Sequence, residues 1–112
     1  ASSPAFVRDM RRLLGDKAKF VLDCKQCRRS GVGIGEMIAA MGEALVHLHI
    51  SDGDEFHDCL IPGKGTTPFA SVFHQLKQVG FEGAVILELY RKNFGHPDEL
   101  VEGKRFLEQI RY

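Results

Sequence analysis

Asp23, His49 and Glu88 are candidate ligands for a divalent metal, and each ends a short apolar run of the sequence. Two carboxylates and an imidazole suit a hard to borderline divalent ion. We predict a β-strand for each of the three runs, over about residues 19–23, 45–50 and 84–89. Active sites of β/α folds are built from polar groups at the carboxyl ends of successive parallel strands. The three residues therefore predict one shared metal site.

Helical segments separate the predicted strands, which gives the order α-β-α-β-α-β-α. Their apolar residues recur at helical spacing, and the predicted helices begin near Pro4, residue 34, Pro68 and Pro97. Strands that alternate with helices imply right-handed crossovers and a parallel sheet. The connection over residues 51–67 is long, and such loops are usually functional or mobile.

The chain has 112 residues and three predicted strands, whereas a complete eight-stranded (β/α) barrel needs about 250 residues. A sheet of three parallel strands has two open edges, and open edges invite further pairing. We therefore predict an α/β fold in the form of a partial TIM barrel. Further N-terminal strands or self-association would complete it.

The alternation of side chains along each strand gives the candidate ligands a common direction. One assignment sends the bulky apolar side chains outward to the helices and turns Asp23, His49 and Glu88 inward at the same end of the sheet. Any one of the three could simply cap a neighbouring helix, but three in register favour a shared site. His47 lies on the face of His49, one pleat deeper, and we expect an interior histidine there rather than a ligand.

The composition is typical of a soluble globular chain without a membrane span or signal segment, since 44% of the residues are hydrophobic and 27% are charged. Fifteen basic residues balance fifteen acidic ones, which argues against a nucleic-acid-binding surface and favours an uncharged or mildly anionic small molecule. An odd count of three cysteines predicts reduced thiols and a cytoplasmic location. Cys24 and Cys27 form a Cys-x-x-Cys motif, which leaves a redox dithiol or half of a zinc site as alternatives.

Four segments of the chain, taken in order, resemble the xylose isomerase-like TIM-barrel superfamily, which includes sugar-phosphate isomerases, keto-sugar epimerases and apurinic-site endonucleases. The segments are Val21-Leu22-Asp23, Val46-His47-Leu48-His49-Ile50-Ser51-Asp52, Leu60-Ile61-Pro62-Gly63-Lys64-Gly65 and Gly83-Ala84-Val85-Ile86-Leu87-Glu88. Their order and spacing are similar to strands six to eight of such a barrel. The resemblance implies that residues 1–112 are the C-terminal half of a barrel.

The resemblance also implies a divalent metal, Mn, Mg, Co or Zn, which the epimerase branch binds through glutamate, aspartate, histidine and glutamate from four strands. Asp23, His49 and Glu88 match the last three ligands, and the first glutamate has no counterpart in this chain. In that branch the two glutamates exchange protons with the substrate next to a carbonyl, so Glu88 is implied to be catalytic. We expect the isolated chain to be inactive because it has only one of the pair.

Three further residues are candidates for contacts with a sugar or sugar-phosphate substrate: Gln26, His57 and Arg91. Many family members have a histidine where Gln26 stands; glutamine can still hydrogen-bond hydroxyl groups but cannot titrate near neutral pH. This departure disfavours a multi-zinc endonuclease. For His57 and Arg91 a surface role is equally open. The segment Gly63–Gly65 could bind a phosphate through its amides or could simply form a turn.

Two functions from different classes follow. The first is part of a metal-dependent sugar isomerase or epimerase that transfers a proton next to a carbonyl, with an endonuclease-like metal enzyme as a variant. The second is a non-catalytic module that forms a homodimer through its open strand edges. For the sugar enzyme and for the self-associating module we expect no nucleic-acid or membrane partner, and the balanced charge disfavours the endonuclease variant.

Overall fold

One parallel three-stranded sheet forms the centre of the protein in the computed structural model, which describes residues 3–88 and 96–110. The strands are β1 (Phe20–Asp23), β2 (Leu45–Ile50) and β3 (Ala84–Leu87), in the order β1-β2-β3. Both neighbouring pairs are parallel. The predicted α/β fold, a partial TIM barrel with an open sheet, is confirmed.

The described residues form five α-helices on one side of the sheet: α1 (Pro4–Leu14), α2 (Cys24–Ser30), α3 (Ile34–Met41), α4 (Phe69–Gln78) and α5 (Asp98–Ile110). The sequence predicts four of them and misses α2, because it predicts no helix between residues 23 and 34. This short helix forms because the Asp23 carboxylate accepts the backbone N–H of Gln26 at 3.2 Å and caps its first turn. Gly31 ends it with φ of 71°.

The helices cover one face of the sheet. Leu22, Leu48 and Ile50 are buried on that face, as are residues of four helices: Val7, Cys27, Met37, Ile38, Met41, Phe69, Phe73 and Leu76. Because α5 packs against α4, the rings of Phe69 and Phe106 meet edge to face with centroids 6.2 Å apart. The outward direction predicted for the bulky residues of β1 and β2 is therefore correct.

The opposite face of the sheet, which would line a complete barrel, is open. Val21 and Ile86 on this face are 51% and 46% exposed. His47 is also exposed, so the expectation of an interior histidine is wrong: three strands leave this face uncovered. On the helix side of the edge strand β3, Val85 is 40% exposed, although its register partner Leu48 is buried. The covering predicted for β3 is thus incomplete. No helix among the described residues is long and apolar enough to cross a membrane.

Candidate metal centre

The register of the sheet brings the three candidate ligands together. Asp23 pairs with His49 across β1 and β2, and the backbone N–H of Glu88 continues the ladder by donating to the carbonyl of Ile50 at 2.9 Å. One possible ligand atom of each of Asp23, His49 and Glu88 lies within 4.8 Å of the other two. Atoms bound to one ion at about 2.1 Å are at most about 4.2 Å apart. Small side-chain adjustments would therefore let the three half-buried residues share an ion.

Asp23 also organises the segment that follows β1. Its capping bond to the Gln26 amide fixes the start of α2 and thereby the direction of the carboxyl group. The side chain of Gln26 is exposed and, with Asp23, lines a cavity of about 280 Å³ beside the open edge of β1. A contact between Gln26 and a substrate stays a prediction.

Glu88 has two neighbours that the sequence does not predict. The Nζ atom of Lys25 lies 2.9 Å from Oε1 of Glu88, and the Cys59 thiol donates to the same oxygen at 3.2 Å. The hydrogen bond from Lys25, followed by that from Cys59, holds the pKa of Glu88 below its usual range. Lys25 lies on the helix that the sequence does not predict, and Cys59 lies in an irregular loop, so no periodicity marks either residue.

The three cysteines are buried, and none of them forms a disulfide bond. Burial raises the pKa of Cys24 to about 11, and it also raises the pKa of Cys27. Burial and then the Glu88 carboxylate raise the pKa of Cys59 to about 11. A reactive redox dithiol needs a lowered thiol pKa. The structure therefore disfavours the redox interpretation of the Cys-x-x-Cys motif.

We expect the thiols of Cys24 and Cys59 to resist alkylation in the folded chain. At about pH 8, a thiol with a pKa near 11 has a thiolate fraction more than about a hundredfold below that of a free cysteine, and only the thiolate reacts. Mass spectrometry after timed exposure to iodoacetamide measures the rates, with the urea-unfolded chain as control. If both thiols of the folded chain were labelled as fast as those of the unfolded chain, the raised pKa values of Cys24 and Cys59 would be wrong.

The loop over residues 51–67 is folded around a buried carboxylate. Asp52 is 1% exposed, and its two oxygens accept the backbone N–H groups of Gly53, Gly63, Gly65 and Thr67 at 2.8–3.0 Å. A side chain at Gly65 would collide with the Gly53 carbonyl, since a Cβ would lie 2.3 Å from that oxygen. Because the amides of Gly63 and Gly65 are used in this way, the phosphate interpretation of the Gly63–Gly65 segment is wrong.

Arg28 joins α2 to the same loop. Its guanidinium donates to the carbonyl and the hydroxyl of Ser51, both at 2.9 Å, and faces Asp58 at 3.7 Å. The loop thereby holds Cys59 against Glu88.

Of the two other predicted substrate contacts, the structure describes one, His57. His57 is exposed, and its Nδ1 atom lies 2.9 Å from the carboxylate of Asp54. Arg91 lies outside the described residues. For both residues, substrate binding stays a prediction.

Comparisons with known proteins identify relatives of this fold. The family model for the xylose isomerase-like TIM barrel matches residues 3–110. An uncharacterized protein of Mycobacterium leprae (strain TN) is 39% identical over 79 residues, which are 69% of this chain and 28% of that protein. A D-psicose 3-epimerase of Agrobacterium fabrum (strain C58) is 28% identical over 95 residues, which are 85% of this chain and 30% of that enzyme.

Solved structures show the same fold. D-psicose 3-epimerase from Clostridium cellulolyticum H10, crystallised with D-tagatose, superposes with a TM-score of 0.74 and 19% identity over 96% of this chain and 43% of that one. The IolI protein, solved with a bound zinc atom, superposes with a TM-score of 0.63 and 21% identity over 95% of this chain and 41% of that one. The chain thus spans less than a third of the length of the two curated relatives and less than half of the solved ones.

Proposed function

The chain belongs to the xylose isomerase-like TIM barrel family, and from this premise we propose that it is the metal-binding C-terminal part of a sugar isomerase or epimerase. The observation that carries the proposal is the convergence of Asp23, His49 and Glu88 at the carboxyl ends of three parallel strands. Similarity to D-psicose 3-epimerases supports the reaction class.

The three side chains fit a divalent ion. Their ligand atoms lie within 4.8 Å of one another, and two carboxylates with one imidazole accept Mn, Mg, Co or Zn without discriminating strongly among them. A fourth ligand would be a glutamate from an earlier strand of a complete barrel. When bound, the ion would supply Lewis acidity, which lowers the cost of the negative charge that develops on a carbonyl oxygen when the neighbouring carbon loses a proton.

Glu88 is the proposed catalytic residue of this half of the barrel. In the metal-free chain Lys25 favours the ionised form of Glu88. An ionised carboxylate is the form that can both contact a cation and accept a proton from the carbon next to a carbonyl. Gln26, His57 and Arg91 are proposed to hold substrate hydroxyl or phosphate groups. Epimerisation also needs a proton on the other face of that carbon, and the partner glutamate would supply it. The isolated chain is therefore proposed to be inactive. The whole protein is proposed to be cytoplasmic.

Deuterium exchange tests the proposed reaction. In heavy water with Mn²⁺, the product of the complete reading frame that contains this chain should exchange the proton next to the carbonyl of a ketohexose. Glu88→Gln should slow this exchange by at least about a hundredfold, and the 112-residue chain should show none. Undiminished exchange by Glu88→Gln would contradict the role of Glu88. If the frame encodes these residues alone, the binding alternative below takes precedence.

Exposed apolar side chains on the edge strands favour one alternative, a module that self-associates. Val21 on β1 and both Val85 and Ile86 on β3 are 40–51% exposed, beside strand edges that no other described strand pairs. In this case light scattering would give twice the 12.5 kDa mass of one chain, and Ile86→Lys would restore the single mass. A single-chain mass for the wild type would exclude this alternative.

A further inference from the structure

A lysine lies against one of the candidate metal ligands. The Lys25 ammonium is 2.9 Å from Oε1 of Glu88, and the two side chains are only 15% and 29% exposed. The carboxylates of Asp23 and Glu88 share the cluster in which this contact lies. A cation placed among metal ligands offsets the negative charge of the carboxylates, as the metal ion itself would.

We propose that Lys25 is the counter-ion of the metal site: its ammonium neutralises Glu88 in the metal-free chain and must give up that carboxylate when a divalent ion binds. The inference rests on the proposed function, because it assumes that Glu88 is a metal ligand. It makes Lys25 a positioning residue that sets how strongly the site holds its ion.

The balance of charges supports this role. Asp23 and Glu88 place two negative charges at the site, and the positive charge of Lys25 leaves a net charge of one negative charge. A divalent ion would make the sum positive as long as the ammonium stays, and repulsion between like charges in a half-buried site is substantial. The long, flexible lysine stem can carry the ammonium out toward solvent.

The position of Lys25 in α2 points the same way. It lies in the first turn of the helix, where the positive end of the helix dipole disfavours a cation. A residue that breaks a local rule while contacting a candidate ligand is typical of a functional site. Cys59 also contacts Oε1 of Glu88, but as a neutral hydrogen-bond donor it orients the carboxylate without balancing its charge.

Calorimetric titration with Mn²⁺ or Zn²⁺ tests the competition. Lys25→Met should bind the ion at least about tenfold more tightly than the wild type, equal to about 1.4 kcal/mol. Lys25→Arg, which keeps the charge, should stay close to the wild type. Lys19→Met is the matched control: this exposed lysine precedes β1, at the end of the strand away from Asp23, and its removal changes the net charge equally. Unchanged or weaker binding by Lys25→Met overturns the proposal.

A second measurement without metal separates this proposal from the metal site. In chelator, a double-mutant cycle of Lys25→Met and Glu88→Gln should show a coupling of about threefold or more in the unfolding constant. If the two substitutions change the unfolding constant independently of each other, the counter-ion proposal is wrong. The metal site stands if the wild type binds the divalent ion and His49→Ala does not. If Lys25→Met then binds the ion with the affinity of the wild type, the role assigned to Lys25 is wrong. If neither the wild type nor any variant binds an ion, the proposed function fails, and so does the proposed competition between Lys25 and the ion. The double-mutant cycle then tests only whether Lys25 and Glu88 form an ion pair.

Discussion

Replacing His49 by alanine should lower the affinity of the chain for a divalent ion by at least about a hundredfold. Loss of residues that merely hydrogen-bond to metal ligands already costs about 10- to 100-fold, and His49 is one of three candidate ligands that the chain provides. Its side chain lies half-buried on the open face of the sheet, so its removal leaves the buried core intact. Calorimetric titration with Zn²⁺ measures the effect directly.

A histidine elsewhere in the fold provides the matched control. His74 is exposed on α4, and His74→Ala should bind the ion as the wild type does. Glu88→Gln should reproduce the loss seen with His49→Ala, because an amide is a much weaker ligand than a carboxylate. Wild-type affinity in both His49→Ala and Glu88→Gln would place the ion elsewhere.

The second large effect concerns stability. Asp52→Asn should lower the free energy of unfolding by about 3 kcal/mol or more, because an amide cannot accept all four backbone N–H groups that the carboxylate accepts. The Asn NH₂ group would face two of these donors in a buried space. Small domains have only about 5–15 kcal/mol in total. Urea denaturation followed by circular dichroism measures the change.

The control for this prediction is Asp16→Asn, at an exposed position in the short turn after α1. It should change the free energy of unfolding by no more than about 0.5 kcal/mol. Equal unfolding midpoints for Asp52→Asn and Asp16→Asn would show that the loop does not depend on the buried carboxylate.

The sequence predicts the strands and the grouping of their terminal residues because both follow from local rules. Alternation along each strand fixes which way Asp23 and His49 point, and the β/α order brings the strand ends to one edge of the sheet. The same reasoning fails where the exposure of a side chain depends on which elements pack beside its strand. Val85 obeys the alternation and is nevertheless 40% exposed, because β3 is an edge strand.

The elements that the sequence does not predict depend on contacts between distant segments. An aspartate in a polar loop is typical of a solvated turn, and only the fold shows that amides from residues 53–67 converge on Asp52. Lys25 and Glu88 are far apart in the sequence and meet because α2 follows β1 directly. Seven residues are too few for a periodic pattern, so the cap at Asp23 determines this helix rather than its apolar spacing.

X-ray diffraction at the zinc absorption edge, on crystals of the chain grown with Zn²⁺, tests the central claim most directly. We expect one strong anomalous peak at the carboxyl ends of the three strands, about 2.0–2.2 Å from atoms of Asp23, His49 and Glu88. The Lys25 ammonium should then lie away from Glu88. A peak bound elsewhere, for example at the exposed pair of Asp54 and His57, with the three residues unligated, would contradict the account.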